Sequence, residues 1–169
     1  MFPRVAVVMD YHNNSILRYK LFPGEVAMNK FTGVKLALIN NSQVVGILRD
    51  NNPEISFPDM WDVTGGMREN NESPVACAFR EAKEELSLVL KEDAIIWCRE
   101  YEHQGESSPG GYFMVACVTD EQLSKVRLGN EGQCFKFHDM NDFIKLQNIV
   151  PFVRERLMDY INEKNNNTV

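Results

Sequence analysis

The stretch from Gly65 to Leu88 reads GGMRENNESPVACAFREAKEELSL, and it constrains the fold and the chemistry more than any other part of the chain. A glycine pair precedes a helical pattern that starts at Ser73, whose hydroxyl can cap the helix. Pro74 follows it and lacks the N–H group that the first helical position does not use. We expect this helix to end at about Leu86. Five glutamates crowd the stretch: Glu69, Glu72, Glu81, Glu84 and Glu85.

The glutamates of the helix occupy positions where an isolated helix gains nothing from them. At about 100° per residue, an apolar stripe faces the core and an acidic arc faces out; the stripe holds Val75, Phe79, Ala82 and Leu86, and the arc holds Glu81, Glu84 and Glu85. Glu81 and Glu85 repel each other at i,i+4, and the helix dipole disfavours anions in the last turn by about 0.3–1 kcal/mol each. A solvated surface helix supported by an Arg80–Glu84 pair is the plain alternative.

A bound cation would make this concentration of negative charge favourable for the folded helix. Mg²⁺ binds carboxylate oxygens and leaves room for water and for the phosphates of a substrate. The glycine turn before the helix lets the backbone approach a ligand closely. The turn and the carboxylates could therefore line one site.

Composition limits the classes of partner. The chain has 169 residues, 44% of them apolar, and fits one domain. A formal net charge of −6 disfavours a nucleic-acid polymer as the partner, so a phosphate ligand would need metal ions to supply positive charge. No apolar run is long enough for a membrane span or a signal peptide, and we expect a cytoplasmic location with no membrane partner. The four cysteines show no metal-site spacing and are expected to be reduced core thiols.

Strand and helix patterns alternate along the rest of the chain. Residues 4–9 and 16–22 read as a hairpin at the N-terminus. Further strands are expected at 34–39, 44–48, 61–63, 94–101, 112–118 and 134–137, and further helices at 121–127 and 150–163. The last helix should bury Val153, Leu157 and Ile161. Mixed strands and helices without an internal repeat favour an α/β fold.

The spacing of the charged residues resembles a known family motif. Gly66, five residues, Glu72 and seven residues lead to Arg80-Glu81-Ala82-Lys83-Glu84-Glu85, one residue, and Ser87-Leu88. This is similar to the Nudix box, Gly-x5-Glu-x7-Arg-Glu-U-x-Glu-Glu-x-Gly-U, where U is bulky or aliphatic. All charged positions match, whereas Ala82 is small for its position and Ser87 replaces the last glycine. The preceding FPDMWDVTGG resembles MutT-like members of the family, with Thr64 where proline is usual.

The resemblance implies an α/β/α sandwich with a mixed sheet. Residues 33–164 would form the Nudix domain, residues 1–32 a hairpin extension packed on it, and residues 165–169 a frayed tail. It also implies hydrolysis of a pyrophosphate bond in a nucleoside diphosphate derivative, dependent on Mg²⁺, with Mn²⁺ as a substitute. The metal would be bound by Glu81, Glu84 and Glu85, joined by the carbonyl of Gly66. Glu72 and Arg80 would pair across the loop and the helix to orient the site.

Residues outside the box complete the expected site. Members of the family often recruit one further glutamate, for which Glu131 is the candidate, although it could equally be a plain turn acid. Water would attack one phosphorus while a carboxylate accepts its proton, and the contenders for this base are Glu84, Glu85 and Glu131. Arg49 could contact phosphate or remain a solvated edge-strand residue. Trp61 and Tyr112 could stack on a base or belong to the core.

The substrate is the least constrained expectation. The MutT-like segment favours a (d)NTP-type nucleotide, which is a small molecule. A nucleotide sugar, ADP-ribose or a dinucleoside polyphosphate remains the alternative. A nucleotide sensor that does not cleave its ligand is the rival of another class, which the complete set of box carboxylates disfavours. The N-terminal hairpin could cover a sheet edge or pair with a second chain in a homodimer.

Overall fold

The computed structural model describes residues 6–10, 15–19, 31–102 and 110–166. Within these ranges the β-branched and aromatic runs form strands, and the amphipathic segments form helices. The strands are β1 (Ala6–Asp10), β2 (Ser15–Tyr19), β3 (Val34–Asn40), β4 (Gln43–Leu48), β5 (Trp61–Asp62), β6 (Ile95–Tyr101), β7 (Gly111–Cys117) and β8 (Cys134–Asp139). The helices are α1 (Pro74–Leu86), α2 (Asp120–Ser124), α3 (Met140–Phe143) and α4 (Pro151–Asn166), with a short 3₁₀ turn at Glu92–Ala94.

A mixed sheet of six strands forms the middle layer. Its order is β5-β4-β3-β7-β6, and β8 pairs with β4 along the whole of β4. β3 runs parallel to β7, in register from Val34 opposite Tyr112 to Ile39 opposite Cys117, and the other pairs are antiparallel. The predicted α/β fold with a mixed sheet is therefore confirmed.

The segment after β5 lies between β3 and β4 and brings the glycine turn into the sheet. β3 and β4 pair only beside their connecting turn, and β5 then takes the place of β3 against the end of β4. The chain next bridges β3, with Thr64 opposite Leu36 and Met67 opposite Gly33. The turn between these two bridges is thus fixed from both sides before the chain enters α1.

One helix covers each face of the sheet. α1 buries Cys77, Ala78, Ala82 and Leu86 against alternate residues of β3 and β4, such as Leu36 and Val45. The other residues of β3, such as Ala37, pack with α4 through Val153, Leu157 and Tyr160. Because successive strand residues point to opposite faces, the two helices have separate cores in a three-layer sandwich.

Details of the helices differ from the sequence pattern. α1 has the predicted limits, and the Ser73 hydroxyl accepts a hydrogen bond from the Ala76 N–H at 3.2 Å. Its core stripe is centred on Cys77 and Ala78, while Val75 and Phe79 are half-buried beside it. The small residues allow the helix to approach the sheet closely, which shifts the buried face. α4 buries Tyr160 where Ile161 was expected to be buried, α2 is shorter than predicted, and α3 was not predicted.

At the two chain ends the structure can be compared with the predicted N-terminal extension and C-terminal tail. β1 and β2 pair antiparallel from Ala6 opposite Tyr19 to Asp10 opposite Ser15, which confirms the two hairpin strands. The packing of 1–32 as an extension remains a prediction, since 1–5, 11–14 and 20–30 lie outside the described residues. α4 continues through Asn166, so the first part of the predicted frayed tail is helical; 167–169 lie outside the described residues.

The state of the cysteines and the character of the helices bear on two further predictions. All four cysteines are free thiols; Cys77 is buried and the other three are half-buried. No helix in the part of the chain that the structure describes combines the length and the hydropathy needed to cross a membrane.

Candidate active site

The glycine turn packs directly on α1. Gly65 has a φ of +138°, and a Cβ there would lie 2.2 Å from the Val34 carbonyl oxygen. A Cβ on Gly66 would lie 2.3 Å from Oε1 of Glu81. Only glycine allows this approach of backbone to carboxylate. The turn and the acidic face of the helix therefore meet at one place, as the sequence predicts.

Glu85 reaches under the turn and does not face solvent. Its Oε2 accepts hydrogen bonds from the Thr64 hydroxyl at 2.5 Å and from the Gly65 N–H at 3.0 Å. Burial raises the pKa of the Glu85 carboxyl, whereas these two donors and the charge of Lys35 lower it. The outward arc expected from the helical pattern is thus wrong for Glu85, because the inserted turn covers this side of α1.

Arg80 is the centre of an ion-pair cluster on the outer side of α1. Its Nη2 donates to Glu72 at 2.9 Å and to the Met67 carbonyl at 3.0 Å. Its Nη1 donates to Glu81 at 2.8 Å and to Glu84 at 3.0 Å. The hydrogen bond from Arg80 is the largest cause that lowers the pKa of Glu72, to about 2. The expected pairing of Glu72 with Arg80 is present, and it ties the loop before α1 to the helix.

The remaining box glutamates differ in exposure. The Glu84 side chain is 58% exposed, while Glu81 is half-buried beside the turn. Burial raises the pKa of the Glu81 carboxyl, Arg80 lowers it, and the charges of Glu84 and Glu131 raise it. Glu131, which follows β7 and α2 in the chain, is therefore close enough to Glu81 for their charges to interact.

A cleft of about 260 Å³ joins the box to residues outside it. It lies between the end of β4, β5, α1 and the turn before β8, and its charged lining includes Arg49, Asp62, Glu85 and Glu131. Two expected site residues from outside the box, Arg49 and Glu131, thus share one cavity with Glu85. The sequence alone could not show this, because these residues lie on three separate segments.

Glu131 is held over the cleft by a turn anchored at both ends. The Gly129 N–H donates to the Glu85 carbonyl at 2.8 Å, which fixes the turn to the end of α1. The Gly132 N–H donates to the Asp50 carboxylate at 3.1 Å, which fixes it to the loop after β4. The position of Glu131 therefore depends on backbone contacts to both walls of the cleft.

A second ion cluster was not predicted. Asp62 is 3% exposed and lies 2.6 Å from Lys35 Nζ and 3.0 Å from Arg49 Nη1. Arg49 Nε also donates to the Ser56 carbonyl at 3.0 Å. The signal in the sequence was a lysine inside the apolar strand VKLALI and an aspartate directly after Trp61. Charged residues at buried strand positions require partners, and these two residues neutralise each other.

The two aromatic candidates lie on opposite faces of the sheet. Trp61 is 8% exposed and packs edge-on to His138 in the core beneath α4. Tyr112 packs edge-on to Phe31 at the border of the core beneath α1. They cannot flank the same base, and the burial of Trp61 gives no support to a stacking role for it.

The donor set fits a hard divalent cation in its chemistry. Carboxylate oxygens and a backbone carbonyl are the ligands that Mg²⁺ and Mn²⁺ prefer, and the absence of a side chain at Gly66 lets the Glu81 carboxylate lie directly against the turn. Within 31–102 and 110–166, no three acidic, histidine or cysteine side chains are grouped as a metal site. Instead, Arg80 binds both Glu81 and Glu84.

Comparison with known proteins agrees with the motif. Residues 30–160 match the family model for the NUDIX domain. The MutT protein from Methanosarcina mazei Go1 aligns with a TM-score of 0.60 and 18% identity over 78% of this chain and 93% of that chain. An Ap4A hydrolase from C. elegans aligns with a TM-score of 0.56 and 19% identity over 80% of this chain and 99% of that chain.

A larger protein contains the same fold as one part. The bifunctional NMN adenylyltransferase/ADP ribose pyrophosphatase from Francisella tularensis, complexed with AMP and a Mn ion, aligns with a TM-score of 0.62 and 15% identity. The alignment covers 79% of this chain and 41% of that chain, so this chain spans about two fifths of that protein. At such identities these likenesses show the fold alone. A search among proteins of curated function finds no significant match.

Proposed function

Since this chain belongs to the NUDIX domain family and is a Nudix hydrolase, we propose that it cleaves the pyrophosphate bond of a (d)NTP-type nucleotide in the cleft between β4, β5 and α1. The observation that carries this proposal is the shared lining of that cleft by Glu85, Glu131 and Arg49. Acidic groups can bind a cation and accept a proton, and a guanidinium can bind a phosphate. Hydrolysis of a diphosphate needs all three functions in one place.

A divalent cation is part of the proposal. Hydrolases of this family generally need a divalent metal, and here Mg²⁺, or Mn²⁺ as a substitute, would be held by Glu81, Glu84, Glu85 and the carbonyl of Gly66. When bound, it would neutralise charge on the phosphate oxygens and lower the pKa of a water molecule. The burial that raises the pKa of the Glu85 and Glu81 carboxyls is consistent with sites whose negative charge a cation offsets.

Arg49 is the proposed phosphate ligand. Asp62 and the Ser56 carbonyl hold two of its N–H groups, which fixes the plane of the guanidinium. A guanidinium has five N–H donors in a rigid fork, so others remain for a phosphate oxygen. An arginine held in this way loses little further entropy when the substrate binds.

Glu131 is favoured as the proton acceptor over Glu84 and Glu85. Oε2 of Glu85 accepts two hydrogen bonds, and Glu84 accepts one from Arg80. Among the described residues none donates a hydrogen bond to the Glu131 side chain. Its carboxylate lies on the cleft, so it is available to take a proton from the attacking water. Glu72 and Arg80 act by orienting the other groups.

The (d)NTP preference is tested against the other chemistries of the family. The C. elegans neighbour is an Ap4A hydrolase, and the Francisella neighbour includes an ADP ribose pyrophosphatase. We would therefore assay the purified chain with Mg²⁺ against (d)NTPs, oxidised dGTP, ADP-ribose, nucleotide sugars and dinucleoside polyphosphates, using phosphate release coupled to pyrophosphatase or phosphatase. We expect the highest kcat/KM for a nucleoside triphosphate, with pyrophosphate as a product.

Other outcomes would redirect the assignment. Faster turnover of ADP-ribose, a nucleotide sugar or a dinucleoside polyphosphate would replace the substrate class and keep the reaction. If none of them is cleaved and calorimetry still detects nucleotide binding, the proposed hydrolytic activity is wrong and a nucleotide sensor is favoured. An Arg49→Gln variant should raise KM at least tenfold for every substrate that is cleaved, since it removes a phosphate contact.

A further inference from the structure

We propose that Thr64 is a positioning residue that holds the Glu85 carboxylate in its working orientation, an inference that rests on the function proposed above. The Thr64 hydroxyl donates to Oε2 of Glu85 at 2.5 Å. The neighbouring Gly65 N–H donates to the same oxygen at 3.0 Å. Two donors from consecutive residues thus hold one oxygen of the Glu85 carboxylate in place.

These two hydrogen bonds leave the other oxygen of the Glu85 carboxylate available. Among the described residues none donates a hydrogen bond to Oε1 of Glu85. A carboxylate fixed through one oxygen presents the second in a defined direction, which is how neighbouring groups orient metal-binding side chains. The geometry therefore assigns Oε2 to positioning and Oε1 to the cleft.

Thr64 is suited to this task because its own position is fixed. It is 1% exposed, and its carbonyl accepts a hydrogen bond from the Leu36 N–H at 2.8 Å, which ties it to β3. A β-branched side chain also has few χ1 rotamers. The hydroxyl is consequently a rigid donor supplied by the sheet to a helix side chain 21 residues later in the chain.

The alternative explanation is that the Thr64 hydroxyl only provides a hydrogen bond to a half-buried carboxylate and has no effect on its orientation. Loss of a purely structural hydrogen bond would lower the stability of the fold and leave the affinity for a cation unaffected. A positioning bond would change that affinity even in a variant that folds. The two explanations therefore differ in a readout that needs no substrate.

The experiment measures binding of Mn²⁺ alone to the full chain by isothermal titration calorimetry. The test variant is Thr64→Val, which keeps the shape and removes the hydroxyl, and the rescue variant is Thr64→Ser, which keeps the hydroxyl. The matched control is Thr32→Val, which loses a hydroxyl that donates to the Gly110 carbonyl at 3.3 Å. Urea unfolding shows that each variant is folded, and Thr64→Ala replaces Thr64→Val if the latter does not fold.

Mn²⁺ affinity should fall about tenfold in Thr64→Val, the lower part of the range for residues that orient metal ligands. Thr64→Ser and Thr32→Val should stay within about twofold of the wild-type chain, a change too small to indicate a lost positioning bond. Wild-type affinity in Thr64→Val, or an equal loss in Thr64→Ser, would overturn the inference.

Glu85→Gln separates this inference from the function on which it rests. If Glu85→Gln loses Mn²⁺ affinity and Thr64→Val does not, the role of Thr64 is wrong and the metal site stands. If Glu85→Gln binds Mn²⁺ like the wild-type chain, the metal assignment itself is wrong, and the inference falls with it. In the double variant, Thr64→Val should add no further loss, because it acts through Glu85.

Discussion

Two ion clusters of opposite composition lie on either side of Glu85. On the outer side of α1, one cation, Arg80, lies among four carboxylates: Glu69, Glu72, Glu81 and Glu84. On the sheet side, one buried carboxylate, Asp62, lies between two cations, Lys35 and Arg49. The first cluster has an excess of negative charge and the second an excess of positive charge.

This difference is the basis on which we expect an acidic chain to accept a phosphate compound. In the function we propose, the negative cluster would provide carboxylates for a cation, and the positive cluster would provide a guanidinium for the phosphate. The clusters also differ in the burial of their carboxylates: the Asp62 side chain is 4% exposed, whereas those of Glu72 and Glu84 are 15% and 58% exposed. Breaking a buried ion pair lowers the free energy of unfolding more than breaking an exposed pair does. The positive cluster should therefore matter most for stability and the negative cluster most for activity.

Breaking the positive cluster should give the largest effect on stability. Asp62→Asn leaves Lys35 and Arg49 partly buried without their counter-charge, and the free energy of unfolding in urea should fall by about 3 kcal/mol. Glu121→Gln is the control, because it breaks the exposed Glu121–Lys125 pair and should leave the unfolding midpoint unchanged. Equal stability of Asp62→Asn and the wild-type chain would remove the distinction between the clusters.

Breaking the negative cluster should act on turnover. Arg80→Ala removes the donor that holds Glu72, Glu81 and Glu84, and we expect kcat to fall by about 10–100-fold because the carboxylates lose their orientation. Arg80→Lys should recover little, since lysine lacks the planar fork. Lys83→Ala, an exposed position on the same helix, serves as the control. An unaffected kcat in Arg80→Ala would contradict the orienting role.

The pH dependence of stability sharpens the comparison. Because the pKa of Glu72 is lowered to about 2 by Arg80, the pair stabilises the fold fully above the ordinary pKa of a glutamate and loses this contribution as pH falls through 2. At pH 6, Glu72→Gln should be less stable than the wild-type chain by about 1 kcal/mol. The difference measured by urea unfolding should shrink as the pH approaches 2. A gap that does not change with pH would show that the charge of Glu72 is not responsible.

The smallest effect concerns the end of α1, away from both clusters. Ser87 has a φ of +56°, its N–H donates to the Lys83 carbonyl, and the Leu88 N–H donates to the Ala82 carbonyl. Ser87→Gly should raise the free energy of unfolding by about 0.5–1 kcal/mol, because glycine adopts this conformation without steric cost. The kcat should stay the same. A lower stability, or a changed kcat, would mean that this turn contributes more than a helix end.

The sequence predicted the features that depend on neighbours along the chain. The limits of α1 and its Ser73 cap follow from local spacing, the Glu72–Arg80 pair is what the motif resemblance implies, and the structure contains each of them. The left-handed conformation of Ser87 also matches the position where the motif normally has glycine. In these cases one helix and its preceding loop carry all the atoms involved.

The features that depend on distant segments were not predicted. Asp62 meets Lys35 across 27 residues because β5 pairs with the end of β4 beside β3, and Thr64 meets Glu85 across 21 residues because the segment after β5 bridges β3. A helical pattern places Glu85 outward, since it contains no information about the turn that covers it. For Trp61 the sequence leaves base stacking and a core position open, because the pattern does not tell which face of the sheet a side chain occupies.

Turnover by the Glu85→Gln variant tests most directly whether Glu85 makes the cleft a hydrolytic site. The measurement is kcat with Mg²⁺ on the best substrate of the panel, together with urea unfolding to show that the variant is folded. We expect kcat to fall by about 10³-fold, equivalent to about 4 kcal/mol in the activation barrier. A folded variant that turns over at close to the wild-type rate would contradict this role of Glu85.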